Sequence, residues 1–332
     1  MPCLGLCFTK SCTLRGRWAC SLRGLRACSL RGRWRGNPED NAFAATARIN
    51  KVRVMTLKDI LVHIDSSPSA AGRLDYAIRL AQTHDAHLAA IYVVAVAPIH
   101  QYTEADLGPE LIEAHDRFMR ESAEEAKRLF DEKVARAGIA AEWRQVEGAV
   151  PEMVVLHARY ADLTVLGQRI PGRLDAGAAP ELPDHVVVDV GRPAIVVPYE
   201  DPPDTVARRV LLAWNASRAA ARATNDALSI LADADEVRIM VINPKKGVMG
   251  HGELPGADIA THLARHGVKG EVVEVTADRK TVGDELIAQC QAFNADMMVI
   301  GSYGSFRLRE LVFGGTTRHI LANMTVPVFM SR

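Results

Sequence analysis

A pattern of short apolar segments occurs twice in this sequence and indicates its fold class. Lys58–Asp65 and Arg208–Asn215 are apolar runs that end in a polar residue, and they lie 150 positions apart. An Ala-rich segment follows each run, Ala70–Gln82 in the first half and Ala219–Leu231 in the second. A repeat of this length predicts two similar domains in tandem.

The later parts of the two halves match as well. Ala161–Gly167 and Ala295–Gly301 are apolar runs that lie 134 positions apart, and each ends in glycine. The runs are continuous rather than alternating, which is typical of parallel strands covered on both faces. Strands that alternate with helices predict an α/β fold, with two tandem doubly wound domains that each contain a five-stranded parallel sheet.

Paired prolines in Glu200–Asp204 mark the boundary between the halves, because proline can continue neither a helix nor a central strand. We expect one domain at residues 55–200 and a second at residues 207–332. Right-handed crossovers place the carboxyl ends of the parallel strands on one edge of each sheet. Ligands bind at that edge in open α/β sheets, so Asp65 or Asn215 should lie there with the strand-end glycines.

Residues 1–54 differ from the rest of the chain. Three copies of an eight-residue unit occupy residues 11–34, and residues 1–36 contain Lys10, seven arginines and no acidic residue. A basic arm for nucleic acid or membrane, or a metal site built on the regularly spaced cysteines, would each fit part of this pattern. We favour a third interpretation, in which a translated short repeat lies upstream of a true start at Met55, and we expect this segment to be disordered.

The rest of the chain is acidic. After subtraction of those eight basic residues, 32 basic and 40 acidic side chains remain, a net charge of −8, which argues against nonspecific binding of nucleic acid. No apolar run approaches the roughly 20 residues that span a bilayer. Cys290 is the only cysteine after residue 28, and we expect a buried, reduced thiol in a cytoplasmic protein.

Glycines in the second half suggest a phosphate site. Gly301 and Gly304 follow a strand, and Gly314, Gly315 and Thr316 open a helix. Glycine lets the backbone approach an anion closely, the first turn of a helix offers unpaired N–H groups, and threonine adds a hydroxyl. The same glycines would also fit a loop that only turns the chain. The spacing is neither that of a Walker A loop nor that of the Rossmann fingerprint.

The G-x2-G-x9-G spacing resembles the nucleotide-binding signature of the universal stress protein (UspA-like) family. The resemblance implies a Rossmann-like fold of the adenine nucleotide alpha hydrolase-like type, and a regulatory module of the stress response that binds ATP, with or without Mg²⁺. It also implies a pseudo-dimer of the two halves through Ala194–Val197 and Val326–Met330, and a homodimer of two chains. The residues implied to contact the nucleotide are Ala213, Asn215 and Val241 on the adenine and ribose side, Gly301 and Gly304 as the floor, and Gly314, Gly315 and Thr316 at the phosphates.

The two halves differ in this loop. The interval from the strand-end glycine to the final proline is 26 positions in both halves, so the loops align without gaps. The residues at the positions of Gly304, Gly314, Gly315 and Thr316 are Ile170, Pro180, Glu181 and Leu182 in that order. Proline lacks an N–H and glutamate repels phosphate, so we expect the nucleotide in the second half and none, or weak binding, in the first.

The second half departs from the family pattern at two positions, and both weaken the expected nucleotide binding. Asn215 replaces the family's usual Asp and loses a charge-assisted bond to ribose, and Gly315 stands where Ser or Thr is usual.

No catalytic residue with an evident task stands out. His262 and His266 have the i, i+4 spacing of metal ligands, but no Glu follows His262, so we expect a helix face and no metal site. Two other functions stay open. One is a slow ATPase or nucleotide hydrolase at the same site, although no acidic Mg²⁺ ligand is evident. The other is a structural interaction protein that binds no nucleotide.

Overall fold

The computed structural model describes residues 56–95, 109–173, 175, 178–179, 181–244, 254–277, 282–302 and 315–332. Within these residues the strands are β1 (Asp59–Ile64), β2 (His87–Ala95), β3 (Ala141–Gly148), β4 (Leu163–Gly167), β5 (Ala194–Val197), β6 (Arg209–Trp214), β7 (Glu236–Ile242), β8 (Gly270–Val275), β9 (Met297–Gly301) and β10 (Val328–Ser331). All of them belong to one sheet, in the order β3-β2-β1-β4-β5-β10-β9-β6-β7-β8. The expected disorder of residues 1–54 concerns a segment that lies outside the described residues.

Helices pack on both faces of this sheet. In the described residues they are α1 (Ala70–His84), α2 (Pro109–Ala137), α3 (Val150–Ala158), α4 (Leu182–Asp189), α5 (Arg218–Asp226), α6 (Leu228–Asp233), α7 (Ala257–Arg265), α8 (Val282–Phe293) and α9 (Gly315–Asn323). Helices α1, α2, α5, α6 and α7 contribute to one apolar cluster. Helices α3, α4, α8 and α9 contribute to the other. The strands are therefore covered on both sides, which explains why their sequences are apolar throughout.

Each half is a parallel, doubly wound unit, as the repeat predicted. In the first half β1 pairs with β2 on one side and β4 on the other, all in parallel. In the second half β6 pairs in the same way with β7 and β9. The strand order of each half reverses between its first and fourth strands. The crevice between the carboxyl ends of these two strands is the topological switch point, and ligands of such folds bind there.

The halves join through their last strands, which confirms the expected pseudo-dimer contact. β5 and β10 pair antiparallel, with Ile195 opposite Phe329 and Val196 opposite Val328. Because all strands within a half are parallel, this single antiparallel pair sets the two halves in opposite directions. The carboxyl edges of the two halves therefore lie on opposite edges of the ten-stranded sheet.

One aspartate in each half ties the amino ends of the strands together. Asp162 accepts the backbone N–H groups of Lys58 and Asp59. Asp296, 134 positions later, accepts those of two residues at the start of β6 and also the hydroxyl of Thr205. These carboxylates satisfy strand N–H groups that have no ladder partner, so the repeated Ala-Asp pair in the sequence has a structural role.

The structure adds detail to two of the helices. The Ala-rich segment Ala219–Leu231 is divided into α5 and α6, because the chain leaves the helix at Ala227. The charged helix α2 has the amphipathic pattern of a surface helix, with Ala123, Ala126 and Phe130 buried. Among the described helices, none has both the length and the apolar character needed to cross a membrane.

Candidate functional site

In the first half, an arginine fills the carboxyl edge between β1 and β4. Arg73 lies on α1, and its Nη2 donates a hydrogen bond of 2.7 Å to Oδ1 of Asp65, the residue that follows β1. A Cβ placed on Gly167, the last residue of β4, would lie 1.8 Å from Nη1 of Arg73. The guanidinium therefore lies directly over the strand end, in the space that the glycine leaves free.

The Asp65 carboxylate is held by this ion pair. Asp65 is 7% exposed and Arg73 is 3% exposed. Ser67 also donates its backbone N–H, at 3.1 Å, and its hydroxyl to Oδ1 of Asp65. Burial raises the pKa of Asp65, but the charges of Arg73 and His63 and the hydrogen bonds from Ser67 and Arg73 outweigh burial and lower it to about 2. Asp65 is therefore ionised at neutral pH, and its charge is balanced inside the first half.

Helix α4 of the first half begins without groups suited to phosphate. Its N-cap residue is Glu181, its first residue Leu182 is buried, and its second residue Pro183 has no N–H. A carboxylate at this position repels an approaching phosphate. Pro180, the other unfavourable residue in the sequence comparison, lies outside the described residues.

The second half has the same turn at the end of its first strand, without the arginine. Oδ1 of Asn215 accepts the N–H of the residue two positions on at 3.1 Å, as Oδ1 of Asp65 does in the first half. Ala223 is buried and stands eight positions after Asn215, where the first half has Arg73. Ala223 brings no charge to the strand end, where the backbone of α5 packs against Gly301 instead of a guanidinium. Asn215 is exposed.

The residues expected to contact adenine and ribose lie at one edge of the sheet. Ala213 and Val241 belong to the adjacent strands β6 and β7, and Asn215 directly follows β6. Gly301 ends β9, the other neighbour of β6. A Cβ on Gly301 would lie 2.3 Å from the backbone nitrogen of Ala220, so the packing of α5 requires glycine here. Contact of these residues with a nucleotide stays a prediction.

On the phosphate side, the described residues begin at Gly315, and Gly304 and Gly314 lie outside them. Gly315 is exposed and is the first residue of α9. Among the described residues, no atom lies within 4 Å of a Cβ built on Gly315. Thr316 follows and is partly buried. Within that part of the chain, no side chain stands at Gly315 where α4 has Glu181.

Comparison with known proteins agrees with this architecture. A model of the universal stress protein family matches the chain twice, at residues 56–198 and at residues 194–332. The chain belongs to the universal stress protein family. Its two halves are tandem domains of that family, as the repeated strands and the glycine spacing predicted. No curated protein matches the chain.

The chain is similar to solved structures of universal stress proteins, and the first of those named here shares its fold. A universal stress protein from Archaeoglobus fulgidus is 18% identical with a TM-score of 0.61, and the match covers 82% of this chain and 98% of that one. UspA from Lactobacillus plantarum is 23% identical with a TM-score of 0.34, over 42% of this chain and 96% of its own. A universal stress protein solved in complex with cAMP is 27% identical with a TM-score of 0.28, over 44% of this chain and 99% of its own.

This universal stress protein has no cluster of three or more potential metal-binding His, Cys, Asp or Glu side chains within its described residues. His262 lies in α7 and His266 follows it, and their ring centroids are 4.8 Å apart. The two rings pack on each other, which fits the helix face that the sequence suggested.

Two residues at the strand ends were not singled out by sequence reasoning. Arg73 could have been found from the sequence. The offset of 150 positions aligns it with Ala223, so the first half has a charged residue where the second half has none. Gln168, which follows Gly167, donates a hydrogen bond to the backbone oxygen of Leu321 in the other half. No sequence pattern indicates a contact of this kind, because its two residues are 153 positions apart.

Proposed function

We propose that this universal stress protein is a regulatory module of the stress response that binds an adenine nucleotide, ATP, in its C-terminal half. The resemblance of the Gly301 to Thr316 segment to the family signature implies the ligand. The contrast between the two strand-end turns supports the choice of half. Under this proposal the first half serves as a scaffold, and nucleotide occupancy of the second half sets the affinity for a partner.

The replacement of a buried ion pair by two neutral residues carries the proposal. In the first half, Asp65 and Arg73 bind each other across the space above Gly167. In the second half, Asn215 and Ala223 stand at the same positions, and neither brings a charge to the strand end. The turn uses Oδ1 of Asn215, which leaves Nδ2 to donate a hydrogen bond to a ribose hydroxyl.

The start of α9 supports phosphate binding for a separate reason. The first N–H groups of a helix have no partner within the helix and lie at the positive end of its dipole. Gly315 has no side chain that could cover these groups, and Thr316 adds a hydroxyl that can donate to a phosphate oxygen. Helix α4 has Glu181 and Pro183 at the corresponding turn, so the same chemistry is not offered in the first half.

Acid extraction of the purified full-length protein, followed by nucleotide analysis and calorimetric titration with ATP, tests the proposal. Gly315→Glu should weaken ATP binding by about two orders of magnitude, because it places beside the phosphates the carboxylate that α4 carries. The new side chain has room, since a Cβ at Gly315 has no neighbour within 4 Å. Gly315→Gln is the matched control, because it has the same size without the charge and should retain most of the affinity.

The outcomes separate the competing functions. Wild-type protein that binds no ATP at millimolar concentration would contradict the proposal and favour a structural interaction protein. Equal binding by Gly315→Glu and wild type would show that ATP binds elsewhere. Measurement of ADP after incubation with ATP and Mg²⁺ would show whether a slow hydrolase is present.

The proposal includes a compartment and an assembly. We place the protein in the cytoplasm, which suits Cys290, a free and buried thiol whose pKa burial raises to about 12. We also propose that two chains form a homodimer, as the family resemblance implies. Because the β5–β10 contact is used within one chain, this homodimer would form through another surface. Light scattering at several protein concentrations tests the assembly, and a single-chain mass at every concentration would contradict it.

A further inference from the structure

Helix α9 connects the two edges of the sheet. Its first turn, with Gly315 and Thr316, lies at the carboxyl edge of the second half, and its last turn lies at the opposite edge. At that opposite edge, Nε2 of Gln168 donates a hydrogen bond of 2.9 Å to the backbone oxygen of Leu321. Gln168 follows Gly167 at the end of β4, so a residue of the first half holds the end of a helix of the second.

The Gln168 side chain is fixed at both ends of its amide. Its Oε1 accepts the backbone N–H of Tyr199, just after β5, at 3.2 Å. Gln168 is only 6% exposed, so water does not readily replace either bond. Because Nε2 donates to a carbonyl oxygen and Oε1 accepts an N–H, the orientation of the amide is fixed. The last turn of α9 cannot move away from Gln168 without leaving a buried polar group unpaired.

The first half holds a helix of the second through Gln168, and the corresponding residue of the second half does not hold a helix of the first. Ser302 is the residue of the second half that corresponds to Gln168, 134 positions later. Its backbone N–H and its hydroxyl both donate to the backbone oxygen of Ser331, at 2.9 Å and 3.0 Å, within the second half. Serine is too short to reach across as glutamine does. Gln168 therefore binds the helix of the proposed nucleotide site, and Ser302 makes no equivalent bond to α4.

We propose that Gln168 is a positioning residue for nucleotide binding, and that it fixes α9 so that the first-turn N–H groups meet the phosphates. This inference rests on the proposed function of the second half. Leu321 lies six residues after Gly315, roughly 9 Å along a rigid helix, so a shift at one end is transmitted to the other. The first half, whose own strand end is filled by Arg73, then sets the phosphate affinity of the second.

The test compares two isosteric substitutions in the full-length protein. Gln168→Glu keeps an acceptor for Tyr199 but removes the donor to Leu321 and places a negative charge at a helix carboxyl end, where the dipole disfavours it. We expect the affinity for ATP to fall about tenfold, as for the loss of one buried hydrogen bond. The affinity for adenosine should stay unchanged, because adenosine has no phosphate.

Gln82→Glu is the control for a lost donor and an added charge at a helix carboxyl end. Nε2 of Gln82 donates to the backbone oxygen of Ala137 at the end of α2 at 3.2 Å, in an exposed bond, whereas that of Gln168 is made by a buried side chain. Helices α1 and α2 pack on the face of the sheet opposite to α9. Gln82→Glu should therefore bind both ATP and adenosine as the wild type does.

The outcomes distinguish this inference from the function on which it rests. An equal loss of ATP and adenosine affinity in Gln168→Glu would indicate a general structural role and overturn the inference, as would an unchanged affinity for ATP. Hydrogen exchange at residues 315–323 without nucleotide should be faster in Gln168→Glu than in the wild type and the Gln82→Glu control. Equal exchange would overturn the positioning role by itself. Absence of ATP binding by the wild type would overturn the proposed function and, with it, the role of Gln168 in binding.

Discussion

Replacement of Arg73 with alanine should destabilise the protein more than replacement of Arg73 and Asp65 together. Arg73→Ala leaves the Asp65 carboxylate buried without a counter-ion, and removal of one partner of a buried ion pair costs about 3–5 kcal/mol. The double variant Asp65→Asn, Arg73→Ala instead copies Asn215 and Ala223, the neutral pair that the second half already carries. We therefore expect a coupling energy of about 2 kcal/mol or more between the two substitutions.

The lowered pKa of Asp65 points in the same direction, and it sums the effects of burial, the charges of Arg73 and His63 and the hydrogen bonds from Ser67 and Arg73. A fall from 3.8 to about 2 corresponds to about 2 kcal/mol in favour of the ionised carboxylate in the folded protein, at 1.36 kcal/mol per pKa unit. Because the folded-state pKa is the lower one, this stabilisation is complete above about pH 4 and is lost as the pH falls from about 4 to about 2. The difference in free energy of unfolding between wild type and Arg73→Ala should narrow over the same range.

Urea unfolding of the wild type, both single variants and the double variant would measure this cycle, with tryptophan fluorescence and circular dichroism as the probes. Similar m-values would show that the four proteins expose similar surface on unfolding. Additive changes, with a coupling energy below about 0.5 kcal/mol, would show that Arg73 and Asp65 do not act as a pair. The proposed absence of nucleotide from the first half would then need a cause other than this ion pair.

Asp296→Asn should lower the free energy of unfolding by about 1–3 kcal/mol, because two strand N–H groups lose a charged acceptor; urea midpoints would test this, and no change would contradict it. Gly301→Ala should lower it by about 1–3 kcal/mol, because the new methyl meets the backbone of Ala220 at 2.3 Å. In the same titration Gly315→Ala should change it by less than about 0.5 kcal/mol, because the space there is open. Cys290 should resist iodoacetamide at pH 8 until urea is added, because burial raises its thiol pKa to about 12; rapid labelling in native protein, read by mass spectrometry, would contradict this.

Much of the fold could be predicted because its signals are local. Continuous apolar runs, the Ala-rich segments between them and the prolines of Glu200–Asp204 each indicate an element from neighbouring residues alone. The equal spacing in the two halves then predicted the tandem arrangement and the contact of the last strands. The break of the Ala-rich segment at Ala227 was missed, because neither proline nor glycine marks it in the sequence.

The candidate site was predictable only in part. The glycine spacing drew attention to Gly301, and the structure supplies a packing reason for that glycine in the close approach of Ala220. The comparison of halves drew attention to Glu181, which is the N-cap residue of α4. Asn215 was read from the sequence as a lost contact. The structure relates it to Ala223, because the aspartate of the first half is the counter-ion of an arginine that the second half lacks.

The sequence by itself determined that this chain builds two parallel α/β halves and that only the second keeps the G-x2-G-x9-G spacing. These properties follow from residue periodicity and from the backbone freedom of glycine and proline, which act over a few positions. Only the tertiary structure decided that Arg73 lies over Gly167 and that Gln168 holds Leu321. Each of these contacts joins residues far apart in the chain, and a hydrogen bond or an ion pair forms only where packing brings the atoms within about 3 Å.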